Sequence, residues 1–323
     1  MPNFLWITAA VLFALFGIFT GALYWIYCFS FKRSRVDCDK YDGLDSEVMA
    51  PFREKNRESI TALSEMTFED VYIESPLDGI RLHARLKVTD GNSPIQILCH
   101  GYRSNPFRDF SGGAIEALDN GHGILLIDQR AHQQSEGRAI TFGIRERYDL
   151  LGWASYLHGR FPTRDIILVG ISMGGATVVA ASELEMPDTV KCAVADCPYA
   201  CVADELTHTA KKLGFPAAVY PLIRLSAKIF GGFDTRDGDF RKSAANTRIP
   251  IIIIHGEADG LVPCGMSAEL RDACPEKISH VTFPDAEHGL SYLVDRDRYI
   301  AATYSFINKS LSENTEGVRS PKG

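Results

Sequence analysis

Residues 166–181 constrain the backbone of this chain more tightly than any other stretch. Ile166-Ile167-Leu168-Val169 is one short apolar run, Ala176-Thr177-Val178-Val179-Ala180-Ala181 is a second, and Gly170-Ile171-Ser172-Met173-Gly174-Gly175 joins them. A run of four apolar residues ending in glycine suits a strand buried on both faces. The alanine-rich run suits a helix, and the glycines between them permit a turn too tight for side chains. A strand that turns directly into a helix is half of a β-α-β unit, which calls for a parallel sheet. Such a turn lifts the Ser172 hydroxyl above the sheet and aims free N–H groups of the helix N-terminus at the space beside it.

The remaining chain repeats this alternation. Phe68–Glu74 and Ile80–Val88 alternate apolar and polar residues around the turn signal Pro76-Leu77-Asp78-Gly79, which predicts an antiparallel hairpin. Short buried strands are expected at Ile95–Cys99, Gly123–Ile127, Cys192–Ala195, Ile251–Ile254 and His280–Phe283. Helical patterns cover Phe107–Asn120, Ile144–Phe161, Cys264–Ala273 and about 294–309. The fold class is therefore α/β, a mostly parallel central sheet with helices on both faces, over residues 67–309. Ligands of such sheets bind beyond the carboxyl ends of the strands. Residues 199–248 contain no strand pattern and are expected to form a short helical lid inserted after the Cys192–Ala195 strand. Residues 36–66 read as a connecting helical region and 310–323 as a polar, disordered tail.

A serine hydroxyl is a weak nucleophile at neutral pH and needs a base, and the base needs a carboxylate to fix its tautomer. His255-Gly256-Glu257-Ala258-Asp259 follows the Ile251–Ile254 strand, and Pro284-Asp285-Ala286-Glu287-His288 follows the His280–Phe283 strand. Ser172, Asp259 and His288 thus lie just past three strands, on one rim, in the order nucleophile, acid, base. Asp196, also just past a strand, is the alternative acid. His255 reads as a core or turn histidine, His280 as the start of a strand, and Glu257, Asp285 and Glu287 as solvated loop carboxylates. An oxyanion would be held by the backbone N–H of Met173 and that of Tyr102, in the His100-Gly101-Tyr102 loop after the Ile95–Cys99 strand. His100 is expected to brace that loop. Asp128 and Arg130, in the Asp128–Gly137 loop, are expected to pair with each other.

These motifs together resemble the α/β-hydrolase superfamily, in its serine-aminopeptidase-like and prolyl-oligopeptidase-like branch, and within it small membrane-anchored bacterial hydrolases. The resemblance covers about residues 68–309 and rests on His100-Gly101-Tyr102, Asp128 to Gly137, Gly170 to Gly175, Val190 to Cys197, His255 to Pro263 and Ala286-Glu287-His288. It implies a serine hydrolase acting on an ester, thioester or amide through an acyl-enzyme, with no metal or cofactor and with a small-molecule, lipid or peptide acyl substrate. Esterase or lipase-like action is expected ahead of aminopeptidase-like action or acyl transfer. A binding protein on a dead hydrolase scaffold would lack a member of the triad, and none is missing. One departure is Gln133, where the family's loop carries a glycine after Arg-Gly-His or Arg-Ala-His. That position is expected to alter the loop backbone or narrow the site.

The N-terminal segment belongs to a different solvent. No charged residue occurs from Phe4 to Phe31, with Trp6 near one end, Tyr24, Trp25 and Tyr27 near the other, and Lys32, Arg33 and Arg35 just beyond. As a helix, Trp6 to Trp25 spans roughly 28 Å, close to the ~30 Å hydrocarbon core of a bilayer. The apolar run is longer than a cleaved signal peptide requires and lacks a basic residue before it, so residues 1–35 are expected to be a retained membrane anchor. Positive charge on the C-terminal flank alone places the catalytic domain on the cytoplasmic side. With a net charge of −7 and no basic stripe, a nucleic-acid partner is not expected. Cys99 and Cys192 read as buried core thiols, the spacing of Cys192, Cys197 and Cys201 matches no common zinc pattern, and no structural disulfide is expected among the 8 cysteines.

Overall fold

A computed structural model of the protein describes residues 2–33 and 49–317. Strands β1 (Glu69–Glu74), β2 (Arg81–Lys87), β3 (Ile95–Cys99), β4 (Gly123–Asp128), β5 (Ile166–Ile171), β6 (Val190–Asp196), β7 (Ile251–Gly256) and β8 (Ile278–Phe283) form one sheet. Their spatial order is β1-β2-β4-β3-β5-β6-β7-β8. β2 pairs antiparallel with both β1 and β4. All other pairings are parallel, from β3 on β4 to β8 on β7. This is the expected α/β architecture, with the hairpin as its antiparallel edge.

Period-two alternation along each central strand divides the core between two faces. Ile166 and Leu168 of β5 join the larger core, with Trp153 and Leu157 of α5 (Glu146–Arg160), Val178 and Val179 of α6 (Met173–Ala181) and Leu270 of α10 (Gly265–Ala273). Ile167 points the other way, toward Ile307 of α12 (Arg296–Gly317), preceded in the chain by the short α11 (Ser291–Val294). The β3–β4 end of that face is closed by Leu63 of α2 (Arg53–Ser64), Phe107 of α3 (Pro106–Asp109), and Ala114 and Ala117 of α4 (Ser111–Asp119).

Two sequence expectations about the periphery change. The insertion after β6 holds α7 (Val202–Lys212), α8 (Tyr220–Ser226) and α9 (Phe240–Ala245), with 3-10 turns and a π turn at Ala227–Gly231. Of these, α9 is not lid: its fully buried Phe240 and Ala244 pack it with α6 and α10 beneath the sheet, which leaves the lid no more than the α7–α8 part. The C-terminus is the second. Residues 310–317 were expected in a disordered tail, yet α12 continues through Gly317, with Ser310 buried and Leu311 still packed on the sheet, while residues 318–323 lie outside the described residues. An apolar residue one turn further along the same face carries the helix on. Residues 34–48 of the connecting region, Arg35 included, lie outside the described residues, and 49–64 form a 3-10 turn and α2, helical as expected.

Helix α1 (Pro2–Ser30) contains a stretch, Leu5–Ser30, long and apolar enough to cross a membrane, with mean hydropathy 2.1. Its two ends differ. Leu5 to Phe19 are exposed on every side, whereas Leu23, Tyr27 and the following Phe31 are buried. Phe31 lies edge-on to Phe142 and Phe233, and α1 packs along α8. The chain then continues as a short strap, with Ile140 N–H donating to Phe31 O, and Arg33 N–H to Arg138 O.

Candidate active site

The turn after β5 is as tight as its sequence requires. A Cβ on Gly170 would lie 2.1 Å from Gly174 O, and one on Gly174 only 1.8 Å from Cys99 O. Only glycine therefore lets β5, α6 and the end of β3 approach this closely. Ser172 sits at the apex with φ +55° and ψ −117°, a backbone conformation that costs a non-glycine residue about 1–3 kcal/mol and persists only where its surroundings enforce it. Its N–H donates to Asp196 O at 2.8 Å, which stitches the apex to the end of β6. Met173 is the first residue of α6, so its N–H has no intrahelical acceptor.

Ser172, His288 and Asp259 come together. Ser172 Oγ is 2.8 Å from His288 Nε2, and His288 Nδ1 is 2.7 Å from Asp259 Oδ2. The other oxygen of Asp259 accepts from the N–H groups of Leu261 (2.8 Å) and Val262 (2.9 Å). Burial alone would raise the Asp259 pKa, but hydrogen bonds from His255 and His288 outweigh it and hold the carboxyl well below the usual carboxylate range. Burial would lower the His288 pKa, and the hydrogen bond and charge of Asp259 outweigh that too, leaving the imidazole raised. An ionised Asp259 requires a proton on His288 Nδ1, so Nε2 is free to accept from the Ser172 hydroxyl.

Asp196, the alternative acid, does not reach His288. It is buried, its pKa is pushed up to about 6 by that burial, and it hydrogen-bonds the Tyr299 hydroxyl. His255 is fully buried, as a core histidine should be, but does more than fill space. Its Nε2 lies 3.1 Å from Asp259 Oδ2 and 3.0 Å from Val262 O, while its Nδ1 meets the Ser267 hydroxyl. It is a second brace on Asp259. The four-residue separation of His255 and Asp259 was the available signal.

The His100-Gly101-Tyr102 loop lies over Ser172: a Cβ on Gly101 would be 3.5 Å from Ser172 Cβ. Asp109 pins it, one carboxylate oxygen accepting from Gly101 N–H (2.7 Å) and the other from the Ser104 hydroxyl (2.5 Å). Asp109 was not singled out in the sequence, where it is one charged residue in a helical stretch. His100 does brace the loop, through Gly101 O (2.8 Å) and Gln129 N–H (3.2 Å). Burial keeps His100 and His132 neutral, His132 strongly so.

The expected pairing of Asp128 with Arg130 does not form. Asp128 ends β4 facing β2, where it meets His83 Nδ1 at 2.7 Å and Arg85 at 3.4 Å. Arg130, two residues on, turns to α5 and the hairpin turn, meeting Asp149 at 2.6 Å and Asp78 at 3.0 Å. Both ion pairs brace the loop, with different partners. Gln133 has a left-handed backbone, φ +37°, a conformation that glycine adopts more readily, and its carbonyl accepts from the Arg33 guanidinium at 2.8 Å.

The site opens into a cleft of about 250 Å³ whose lining includes Ser172, His288, Tyr102, Asp109, Leu261 and Tyr292. Among the described residues, Cys197, Asp259 and His288 have metal-like spacing. They are a poor ligand set, because Asp259 and His288 already engage each other and burial pushes the Cys197 thiol well above its ordinary pKa. Cys99 and Cys192 are buried in the core as expected.

A family model described as the alpha/beta hydrolase fold matches residues 96–224. The chain is 26% identical over 223 residues to YqkD of Bacillus subtilis, an uncharacterized protein, covering 68% of this chain and 72% of that one. It is 24% identical to Rv2307c of Mycobacterium tuberculosis, also uncharacterized, over 75% and 79% of the two chains. Among solved structures, the Pyrococcus furiosus esterase Pf2001 superposes with a TM-score of 0.63 at 22% identity, over 77% of this chain and 94% of that one. The Butyrivibrio proteoclasticus Est1E with bound ferulic acid gives 0.59 at 21% identity, over 75% and 99%. Sheet order, elbow and matches agree: this chain has the α/β-hydrolase fold.

Proposed function

We propose that this protein is a membrane-anchored serine hydrolase that cleaves carboxylic esters, with thioesters and amides as the related substrate classes. The observation that carries the reading is the unbroken hydrogen-bonded line from Ser172 through His288 to Asp259. Ser172 Oγ attacks the substrate carbonyl as its proton passes to His288 Nε2. Asp259 stabilises the imidazolium that results. The N–H groups of Met173 and Tyr102 take the charge of the tetrahedral oxygen. Collapse breaks the ester bond, His288 returns its proton to the leaving alkoxide, and the acyl group stays on Ser172. Water, deprotonated by His288, then attacks the acyl-enzyme and frees the acid. No metal or cofactor enters this route. Ester cleavage is favoured over peptide cleavage because the α7–α8 cover is short and two of the similar folds belong to proteins described as an esterase and as Est1E with ferulic acid.

Retention of α1 is supported by Leu23, Tyr27 and Phe31, which belong to or extend the buried apolar core and would be lost with a cleaved leader. Leu213, Phe215, Leu222, Leu225 and Ile229 of the α7–α8 region are also exposed apolar side chains. An apolar groove of about 240 Å³ joins this region to α1, lined by residues including Trp25, Ile26, Phe29, Leu206, Leu213 and Phe215. The same apolar environment that covers α1 would cover that edge. A cytoplasmic domain rests on Lys32, Arg33 and Arg35, and protease accessibility in intact cells tests it. For the chemistry, p-nitrophenyl esters of graded chain length are the assay. Wild type should turn over and Ser172→Ala should lose about 10⁴-fold or more in kcat. Equal rates for the two would sink the reading.

A further inference from the structure

The C-terminal turn of α1 does not end in solvent or in lipid. Its last carbonyls are taken by two side chains of the loop that lies over Ser172. The Tyr102 hydroxyl donates to Ser30 O at 2.9 Å. The Arg103 guanidinium donates to Phe29 O at 2.7 Å and Cys28 O at 3.1 Å. A helix leaves four carbonyls without intrahelical donors at this end, and its dipole favours a cation there. Tyr102 and Arg103 supply both the donors and the charge.

The loop needs that support. Arg103 has φ +49°, a left-handed backbone that its side chain disfavours. Its N–H donates to the neutral His132 Nε2 at 3.1 Å, and His132 Nδ1 in turn donates to Arg130 O at 2.9 Å. The Tyr102 ring stacks on Phe142, centroids 4.9 Å apart. The last turn of α1 and the strap beyond it hold the opposite side: the Tyr27 hydroxyl donates to Arg138 O at 3.2 Å and Arg33 to Gln133 O. The end of α1 is thus wedged between the two loops, 101–103 and 129–140.

We infer that the last turn of α1 positions the oxyanion donor of Tyr102, and that the Tyr102 hydroxyl and Arg103 guanidinium are the positioning groups through which it acts. This rests on the proposed serine chemistry and adds a second duty to the anchor. The helix tethers the enzyme and also sets the height of the N–H above Ser172. A misplacement of about 1 Å in such a group can cost on the order of 10²-fold in rate. Losing one oxyanion donor outright costs about 10²–10³-fold.

The test uses the full-length protein in detergent micelles with a p-nitrophenyl ester, measuring kcat, KM and Tm for Tyr102→Phe, Arg103→Ala, Arg103→Lys and the Tyr102→Phe/Arg103→Ala double variant. Tyr102→Phe keeps the ring stack and removes only the donor. Each of Tyr102→Phe and Arg103→Ala should lower kcat about 10-fold and the double variant about 10²-fold, with KM within about twofold. Arg103→Lys, which keeps a cation on the helix end, should recover part of the loss. Unchanged kcat in the double variant would overturn the inference. So would a fall in kcat that tracks a fall in Tm and is not relieved by Arg103→Lys, which marks a merely structural role. Ser172→Ala run alongside separates the two claims: if it stays active, the serine chemistry itself has failed, whatever the loop variants do.

Discussion

The two sides of the cleft are built in opposite ways. The Ser172 side is a single local device: one unbroken run, residues 166–181, makes a strand, a glycine-lined turn and a helix that can close in only one way. The Tyr102 side is assembled from separate pieces, by Asp109 a few residues on, by His132, and by the carbonyls of α1 more than 70 residues earlier in the chain. A serine whose position is fixed by backbone contact tolerates no change in those contacts. A loop held by side chains can be loosened by degrees. The first kind of geometry is written in consecutive residues and the second is not.

That difference can be broken at its stiff end first. Gly174→Ala forces a Cβ into Cys99 O and His100 O, all of it backbone. It should cost about 4 kcal/mol or more, read as a lowered Tm or loss of folded protein. A Gly174→Ala variant with wild-type Tm would show that the elbow is not backbone-limited. Asp259→Asn comes next. It removes the charge while leaving the fold, and should lower kcat by about 10³–10⁴-fold with little change in KM, because the amide can donate where His288 must. Retained kcat would shift the acid's role elsewhere, and Asp196 is the group to test next.

Smaller effects report on charge. A raised His288 pKa means the base is still protonated, and inactive, at pH values where an ordinary imidazole of pKa about 6.5 is mostly neutral. The acidic limb of kcat/KM should therefore fall above that value, with activity rising as pH rises. A limb below it would contradict the coupling to Asp259. Smallest is Glu205→Gln on α7. Glu205 is buried, accepts from the Thr209 hydroxyl at 2.8 Å, and its charge helps raise the His288 pKa. Neutralising it should move the acidic limb to lower pH with kcat at the plateau changed less than about twofold, in line with a contribution from charge alone.

How much was legible follows the same division. The elbow, the strand alternation and the order Ser172, Asp259, His288 could be read because each is a short pattern placed beside a strand. The Asp128–Arg130 pairing was misread because residues two apart leave a strand end toward different neighbours, β2 for one and α5 for the other. The lid was drawn too long because α9 carries the same helical pattern as α7 and α8, and only packing against α6 and α10 distinguishes it. The role of α1 was half legible. Its apolar length was plain, but its capping by Tyr102 and Arg103 depends on contacts no local pattern encodes.

The measurement closest to the central claim is mass mapping of a fluorophosphonate adduct on the full-length protein. The account predicts one adduct, on the peptide carrying Ser172, absent from Ser172→Ala and formed at least about 10²-fold more slowly in His288→Ala. An adduct on another residue, or undiminished labelling of Ser172→Ala, would contradict it.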